Sequence, residues 1–324
     1  MKVEQVTRRF GGERRLLGRG KPAVHAVQGV SLKIRRGETL GIVGESGCGK
    51  STLARMLVGL DRQSSGEILL NGQGIRGLRG RERVRLARRV QYVFQDPLSS
   101  LNPRKTIRQI LEAPLRNLLS MRRADREARL QELMEAVRLR PEFLERYPHE
   151  FSGGQAQRIG IARALAASAE LIVLDEPVSS LDVSVQAQVL TLLRELKARF
   201  DLTYVFISHD LAVVEAVSDR VAVMYFGLIV EEGEAGALFR RPAHPYTRLL
   251  LSAAPVPGRK SMISEEEIAE LPDPLAPPPG CAFAPRCARA SELCRAERPP
   301  LSHGDGKSFA CHHPLVDENG SPNG

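Results

Sequence analysis

The sequence predicts an α/β protein built around a phosphate loop, with a helical insertion and a small loop-rich C-terminal cysteine module. Three observations carry this reading. The short apolar runs at 171–174 and 204–207 have the pattern of strands buried on both faces in a parallel sheet. A glycine-rich segment at 44–51 separates an apolar strand from a helix. Four of the five cysteines fall in the last 44 residues, behind a proline-rich stretch at 271–280 that no helix or central strand accommodates.

A chain of 324 residues is long enough for one large or two medium domains with an ample core. Its hydrophobic fraction of 42% and charged fraction of 26% are those of a soluble globular protein. No stretch approaches the roughly 18–20 apolar residues of a membrane helix, and the N-terminus carries no apolar secretion segment, so a cytosolic chain with reduced thiols is expected. The net charge of +9 comes mainly from arginine. Arg8-Arg9, Arg14-Arg15 and the segment 76–89 suit either phosphates and an anionic membrane surface or a merely solvated arginine-rich face. With no Trp and 5% aromatic residues, a nucleic-acid reader built on stacking platforms is disfavoured.

Along the chain, residues 22–60 read as strands followed by a helix. Within 104–140, Leu130, Leu133, Met134 and Val137 recur at i, i+3, i+4 and i+7 between charged residues, which marks an amphipathic helix. Polar residues follow both buried strands at their carboxyl ends, where open α/β sheets place their ligands. Beyond Phe239 prolines accumulate, and 255 onward reads as an appended, loop-rich module ending in a disordered 319–324.

Gly44, Glu45, Ser46, Gly47, Cys48, Gly49, Lys50, Ser51 and Thr52 match the phosphate-loop pattern G-x4-G-K-[ST] in its required strand-to-helix setting. Glycines let successive backbone N–H groups face the phosphates, and the helix N-terminus favours the anion. Lys50 is expected to reach the β- and γ-phosphates of a bound nucleotide, and the Ser51 hydroxyl to ligate Mg2+. Cys48 reads as a small filler. At the end of the 171–174 run, Asp175 is placed to hold Mg2+ through water and Glu176 to polarise the attacking water. Ser152, Gly153, Gly154 and Gln155 open a helix: taken alone a helix cap, but in this order a second phosphate-binding surface.

The order of 44–52, Gln95, 152–155, Asp175-Glu176, Asp182 and His209 resembles the ABC ATPase family over about residues 1–235. The resemblance implies an ABC-type P-loop NTPase core at 1–237 with a helical subdomain at about 104–165. It implies that Gln95 contacts Mg2+ and the attacking water, that Asp182 meets a facing subunit and that His209 sits at the γ-phosphate. It also implies that ATP is sandwiched between the phosphate loop of one subunit and residues 152–155 of another, hence a dimer. Phe10, just ahead of an arginine- and glycine-rich insertion, is the candidate to stack on adenine, with a core Phe the other reading.

Residues 95–104, 180–188, 244–248 and the cysteine tail narrow the likeness to the ATP-binding subunits of bacterial oligopeptide/dipeptide importers. That resemblance implies a C-terminal extension at 238–324, a second and non-identical ABC ATPase, two transmembrane permeases and an extracytoplasmic substrate-binding protein. It puts the chain peripherally on the cytoplasmic face of the inner membrane, with the segment after Gln95 receiving a permease helix. The rival is a soluble ABC ATPase acting on ribosome or nucleic acid, but such proteins fuse two ATPase units or insert a long coiled coil, and this chain does neither. A phosphate-loop kinase leaves 152–155 and His209 without a purpose.

The cysteines are spaced C-x5-C-x6-C-x16-C. Disulfides suit an exported protein and unliganded thiols an ordinary core; four convergent thiolates suit a metal centre. A structural zinc site usually carries a short C-x2-4-C knuckle, absent here, which favours iron–sulfur. The family resemblance implies a 4Fe–4S cluster on Cys281, Cys287, Cys294 and Cys311, with Zn2+ the alternative.

Overall fold

The computed structural model describes residues 1–11, 22–253 and 272–315. Residues 12–21 of the insertion and the end expected to be disordered, 319–324, lie outside the described residues. The chain opens with strands β1 (Lys2–Gly11), β2 (Ala23–Lys33) and β3 (Thr39–Val43), and helix α1 (Lys50–Leu57). Then come β4 (Ser65–Leu70), the short β5 (Gln73–Gly74), α2 (Gly80–Arg89) and β6 (Val90–Val93). An antiparallel sheet forms in the order β2-β1-β4-β5. Sequence patterning found β2 and β3 but not β1 or β4, whose faces alternate only partly between buried and exposed, nor the two-residue, fully exposed β5.

The expected amphipathic helix is α4 (Arg123–Ala136), preceded by α3 (Ile107–Asn117) and followed by α5 (Gly153–Ala166). Leu130, Leu133, Met134 and Val137 are all fully buried, as their spacing requires. At the start of α3 a capping box satisfies two end groups: Thr106 Oγ1 accepts from the Gln109 N–H, and Gln109 Oε1 accepts from the Thr106 N–H.

β7 (Leu171–Asp175), α6 (Val183–Phe200), β8 (Thr203–Ile207), α7 (Leu211–Val217) and β9 (Arg220–Tyr225) alternate strand with helix. β9, β3, β8, β7 and β6 lie side by side and parallel. β3, β7 and β8 are buried at every position, which accounts for their continuous apolar runs. On one face Leu40 and Ile42 pack with Leu53 and Met56 of α1 and with Val3 and Ile68 of the antiparallel sheet. On the other, Leu174 and Phe206 pack with α6 and the helices α3–α5. Each such side chain contributes about 1.5–3 kcal/mol by leaving water.

The chain continues through β10 (Leu228–Glu234), α8 (Ala235–Arg240), α9 (Pro245–Ala253), α10 (Glu292–Ala296), β11 (Leu301–Gly304) and β12 (Lys307–Ala310). Within the expected loop-rich appendage the structure adds a short hairpin that joins the main sheet. β12 pairs antiparallel with β10, Glu231 opposite Phe309, and β11 pairs with β12, so the tail extends the main sheet to eight strands among the described residues. The physical reason is that β10 would otherwise present an open edge of unpaired N–H and C=O groups.

Gly41, in the middle of β3, is what lets α7 lie on the sheet. A Cβ there would sit 2.5 Å from Val214 Cγ1 and 2.6 Å from Ser218 Oγ. Neither is the free end of a flexible chain, so Gly41→Ala is expected to cost about 1–3 kcal/mol through overpacking. Urea unfolding measures this; an unchanged midpoint would show that α7 yields freely.

Candidate active site

β3 ends at Val43, and the chain turns through the phosphate loop into α1. Gly44 and Gly49 adopt φ of 153° and 107°, and a Cβ at either would lie 2.1 Å from the Met224 carbonyl oxygen or 2.3 Å from that of Ala26. Both ends of the loop are thus pressed onto neighbouring backbone where only glycine fits. Cys48 is buried in the core beneath, and burial pushes its thiol above the usual range. It fills space, as the sequence suggested. Lys50 Nζ donates to the carbonyls of Gly44 (2.7 Å) and Glu45 (2.9 Å), which holds the ammonium over the loop.

Asp175 closes β7 beside α1. Its Oδ1 accepts from the Ser51 hydroxyl at 3.2 Å and its Oδ2 from the Tyr92 hydroxyl. Burial first, and then the charge of Asp175, raise Tyr92, which keeps it a donor. A hydroxyl and a carboxylate oxygen so close suit a small hard cation.

Glu176 follows with φ 47°, in the left-handed region, its N–H donating to the Ile207 carbonyl at 2.9 Å. Such a backbone in a residue with a side chain is strained, and strain of this kind collects at functional sites. Glu176 Oε2 accepts from Gln95 Nε2 at 2.9 Å, and Oε1 lies 3.3 Å from His209 Nδ1. Lys50, Ser51, Gln95, Glu176 and His209 line one cleft of about 450 Å³, a volume in the range of small-ligand sites.

Ser152–155 and Asp182 do not line that cleft. Ser152 and Gln155 form a capping box at the exposed start of α5, with Gln155 Oε1 accepting from the Ser152 N–H at 3.1 Å. Gly153 is exposed beside them, while Gly154 is buried; a Cβ on Gly154 would lie 2.5 Å from Val185 Cγ1, so it also permits α5 to start against α6. Asp182 is exposed at the start of α6 and makes no side-chain capping bond. Phe10 is half-buried on β1 beneath the Arg8 guanidinium, 4.3 Å from its ring centre; it joins neither large core cluster and does not line the cleft, where Ala26 does.

Cys281, Cys287, Cys294 and Cys311 are free thiols that line one small cavity together. Burial pushes Cys281 and Cys287 up and Cys311 up to about 12, so these groups favour the protonated form. Among the described residues no three His, Cys, Asp or Glu side chains are grouped so as to hold a metal ion. Of the expected iron–sulfur or zinc centre, the structure shows the four sulfur-bearing side chains gathered at one cavity.

Three residues around the site escaped sequence reasoning. Tyr92 looked like one more apolar strand position. Tyr246 accepts from the Glu45 N–H at 2.9 Å, and Arg286 pairs with the Glu45 carboxylate. Tyr246 is itself set by buried groups: Glu231 accepts from the His244 N–H at 2.9 Å, and His244 Nδ1 accepts from the Tyr246 N–H at 3.0 Å. Burial lowers His244 to about 3, which keeps that nitrogen an acceptor.

A family model described as ABC transporter matches residues 27–179, and one described as oligopeptide/dipeptide transporter, C-terminal region, matches 230–294. The chain is 50% identical over 297 residues to the oligopeptide transport ATP-binding protein AppF of Bacillus subtilis, covering 89% of each chain. It is 48% identical over 312 residues to the di/tripeptide transport ATP-binding protein DppF of Pseudomonas aeruginosa, covering 96% of each. Among solved structures, a dimeric ATP-binding cassette in a post-hydrolysis state with ADP and Pi superposes with a TM-score of 0.64 at 29% identity, over 72% of this chain and 98% of that one. The phosphate loop, the carboxylates at the end of β7 and the tail folded onto β10 therefore belong together: the chain is a member of the ABC transporter family, in the group whose ATP-binding proteins carry the oligopeptide/dipeptide transporter C-terminal region.

Proposed function

We propose that this chain is the ATP-hydrolysing subunit that energises import of peptides or related small solutes through a membrane permease complex. The observation that carries the reading is Glu176 held between Gln95 and His209 at the mouth of the phosphate loop. Lys50 exchanges the carbonyls of Gly44 and Glu45 for the β- and γ-phosphates, while the backbone N–H groups of 46–51 cradle them. Ser51, Asp175 and Gln95 are the residues that would hold Mg2+, whose charge offsets that of the phosphates. Glu176 accepts the proton of the attacking water, Gln95 orients that water, and His209 orients Glu176 and meets the γ-phosphate.

Ser152–155 and Asp182, exposed and away from this cleft, serve the ATP held by a second ABC ATPase subunit, non-identical in the proposed complex. Two permeases and an extracytoplasmic binding protein complete it, with the chain peripheral on the cytoplasmic face of the membrane. Among the described residues no helix is long and apolar enough to cross a membrane. Residues 1–237 form the ATPase domain, with a helical part at about 104–165, and 238–324 form the extension; Phe10, on β1 and outside the lining of the cleft, is the candidate aromatic for adenine. The relatives are named for peptide transport, so a role on ribosome or nucleic acid is not favoured.

Co-purification tests the assignment: a tagged chain should bring down two multi-spanning permeases, and recovery with ribosomes or DNA instead would refute it. Glu176→Gln keeps the shape but cannot take the proton, so turnover should fall about 100-fold or more while ATP still binds. Near-normal hydrolysis, with the partner's site disabled, would remove Glu176 from the role.

The cysteines enter with a finer proposal, a 4Fe–4S cluster with Zn2+ as alternative, supported by four sulfurs that share a cavity. Anaerobically purified protein should be brown and contain iron and sulfide, and Ser at any of the four positions should bleach it where Cys48→Ser does not. Colourless, metal-free protein would end both versions.

A further inference from the structure

Arg286 lies 241 positions from Glu45 in sequence, in a single 3-10 turn (Ala284–Arg286) between Cys281 and Cys287. Its guanidinium nevertheless reaches the phosphate loop. Nη1 donates to Glu45 Oε2 at 2.8 Å and Nη2 donates to Oε1 at 2.9 Å, a bidentate pair. The Arg286 side chain is 7% exposed and that of Glu45 28%, so water and salt screen the contact little. The rings of Phe283 and Tyr225, with centres 5.7 and 5.9 Å from the guanidinium carbon, hold the arm in place.

Glu45 is also fixed through its backbone. Its N–H donates to the Tyr246 hydroxyl and its carbonyl accepts from Lys50. One loop residue thus joins the lysine that meets the phosphates to two residues of the C-terminal region. Its carboxylate is an awkward charge there, because a triphosphate bound in the same loop repels it.

We propose that Arg286 is a positioning residue for ATP: by pairing with Glu45 it neutralises the carboxylate inside the phosphate loop and holds the loop in its phosphate-accepting shape. The C-terminal extension, rather than the ATPase core, supplies this charge. Arg286→Ala leaves Glu45 unpaired, with two consequences: the loop loses an anchor, and the incoming phosphates meet an uncompensated negative charge.

The test is equilibrium binding of MgATP to the full chain, with KM and kcat of its hydrolysis read alongside. Arg286→Ala should weaken binding about tenfold, the scale on which coupled sites ordinarily act, and raise KM more than it lowers kcat. Arg286→Lys, which keeps the charge but not the fork, should lose less. The decisive arm is Glu45→Gln added to Arg286→Ala: with the carboxylate gone, binding should recover most of the loss. A tail that had merely unfolded would not be rescued by a change in the phosphate loop. Wild-type affinity in folded Arg286→Ala overturns the proposal, and so does a loss that Glu45→Gln leaves untouched. Should Arg286→Ala not fold, Arg286→Gln takes its place with the same expected loss and rescue.

Discussion

The close approach of backbone to backbone at the two ends of the phosphate loop is the constraint on which the rest depends. Gly44 lies against the carbonyl of Met224 and Gly49 against that of Ala26, so β9, β2 and the start of α1 are locked around one turn. The Gly227 N–H adds a bond to the Cys48 carbonyl at 2.8 Å. With side chains excluded at both ends, the loop backbone can come close to an anion at the start of α1. The parallel sheet then delivers the acids: Ile42 of β3 pairs with Ile207 of β8, and Ile207 with Asp175 of β7, so loop and carboxylates end at the same level.

At that level the site stores strain. Holding Glu176 at a positive φ costs about 1–3 kcal/mol, and neighbouring bonds sustain it. The Glu176 N–H is taken by Ile207, and its carbonyl accepts from the Ser179 hydroxyl at 3.1 Å. The turn sets the carboxylate between Gln95 and His209, two groups that arrive from the ends of other segments. A relaxed β conformation would continue the strand and change where the side chain points.

What the sequence made legible was local. The loop at 44–51, the acids that end the 171–174 run and the spacing of Leu130, Leu133, Met134 and Val137 each carry their meaning within a few residues, and each reappears in the expected element. What stayed hidden depends on partners far away in sequence. Tyr92 looks like an ordinary strand residue until β6 is laid beside β7, where its hydroxyl meets Asp175. β1 and β4 lack a clean alternation, and β12 shows as a strand only because β10 needs an edge partner. For the cysteines, spacing spoke to ligand chemistry but not to the distances that a shared ion requires.

The same distance argument explains why the tail is bound to the ATPase. A proline-rich segment with short elements cannot enclose a core of its own, so it borrows one. Phe283 is buried with its ring 5.4 Å from that of Tyr225 on β9 and 5.4 Å from that of Tyr246 on α9. Tyr225 leads into the turn whose Gly227 binds the phosphate loop, and Tyr246 binds that loop directly. The tail's packing and the loop's geometry thus share residues, and neither can shift far without the other. An extension attached in this way covers a sheet edge and braces the phosphate loop through the same few side chains.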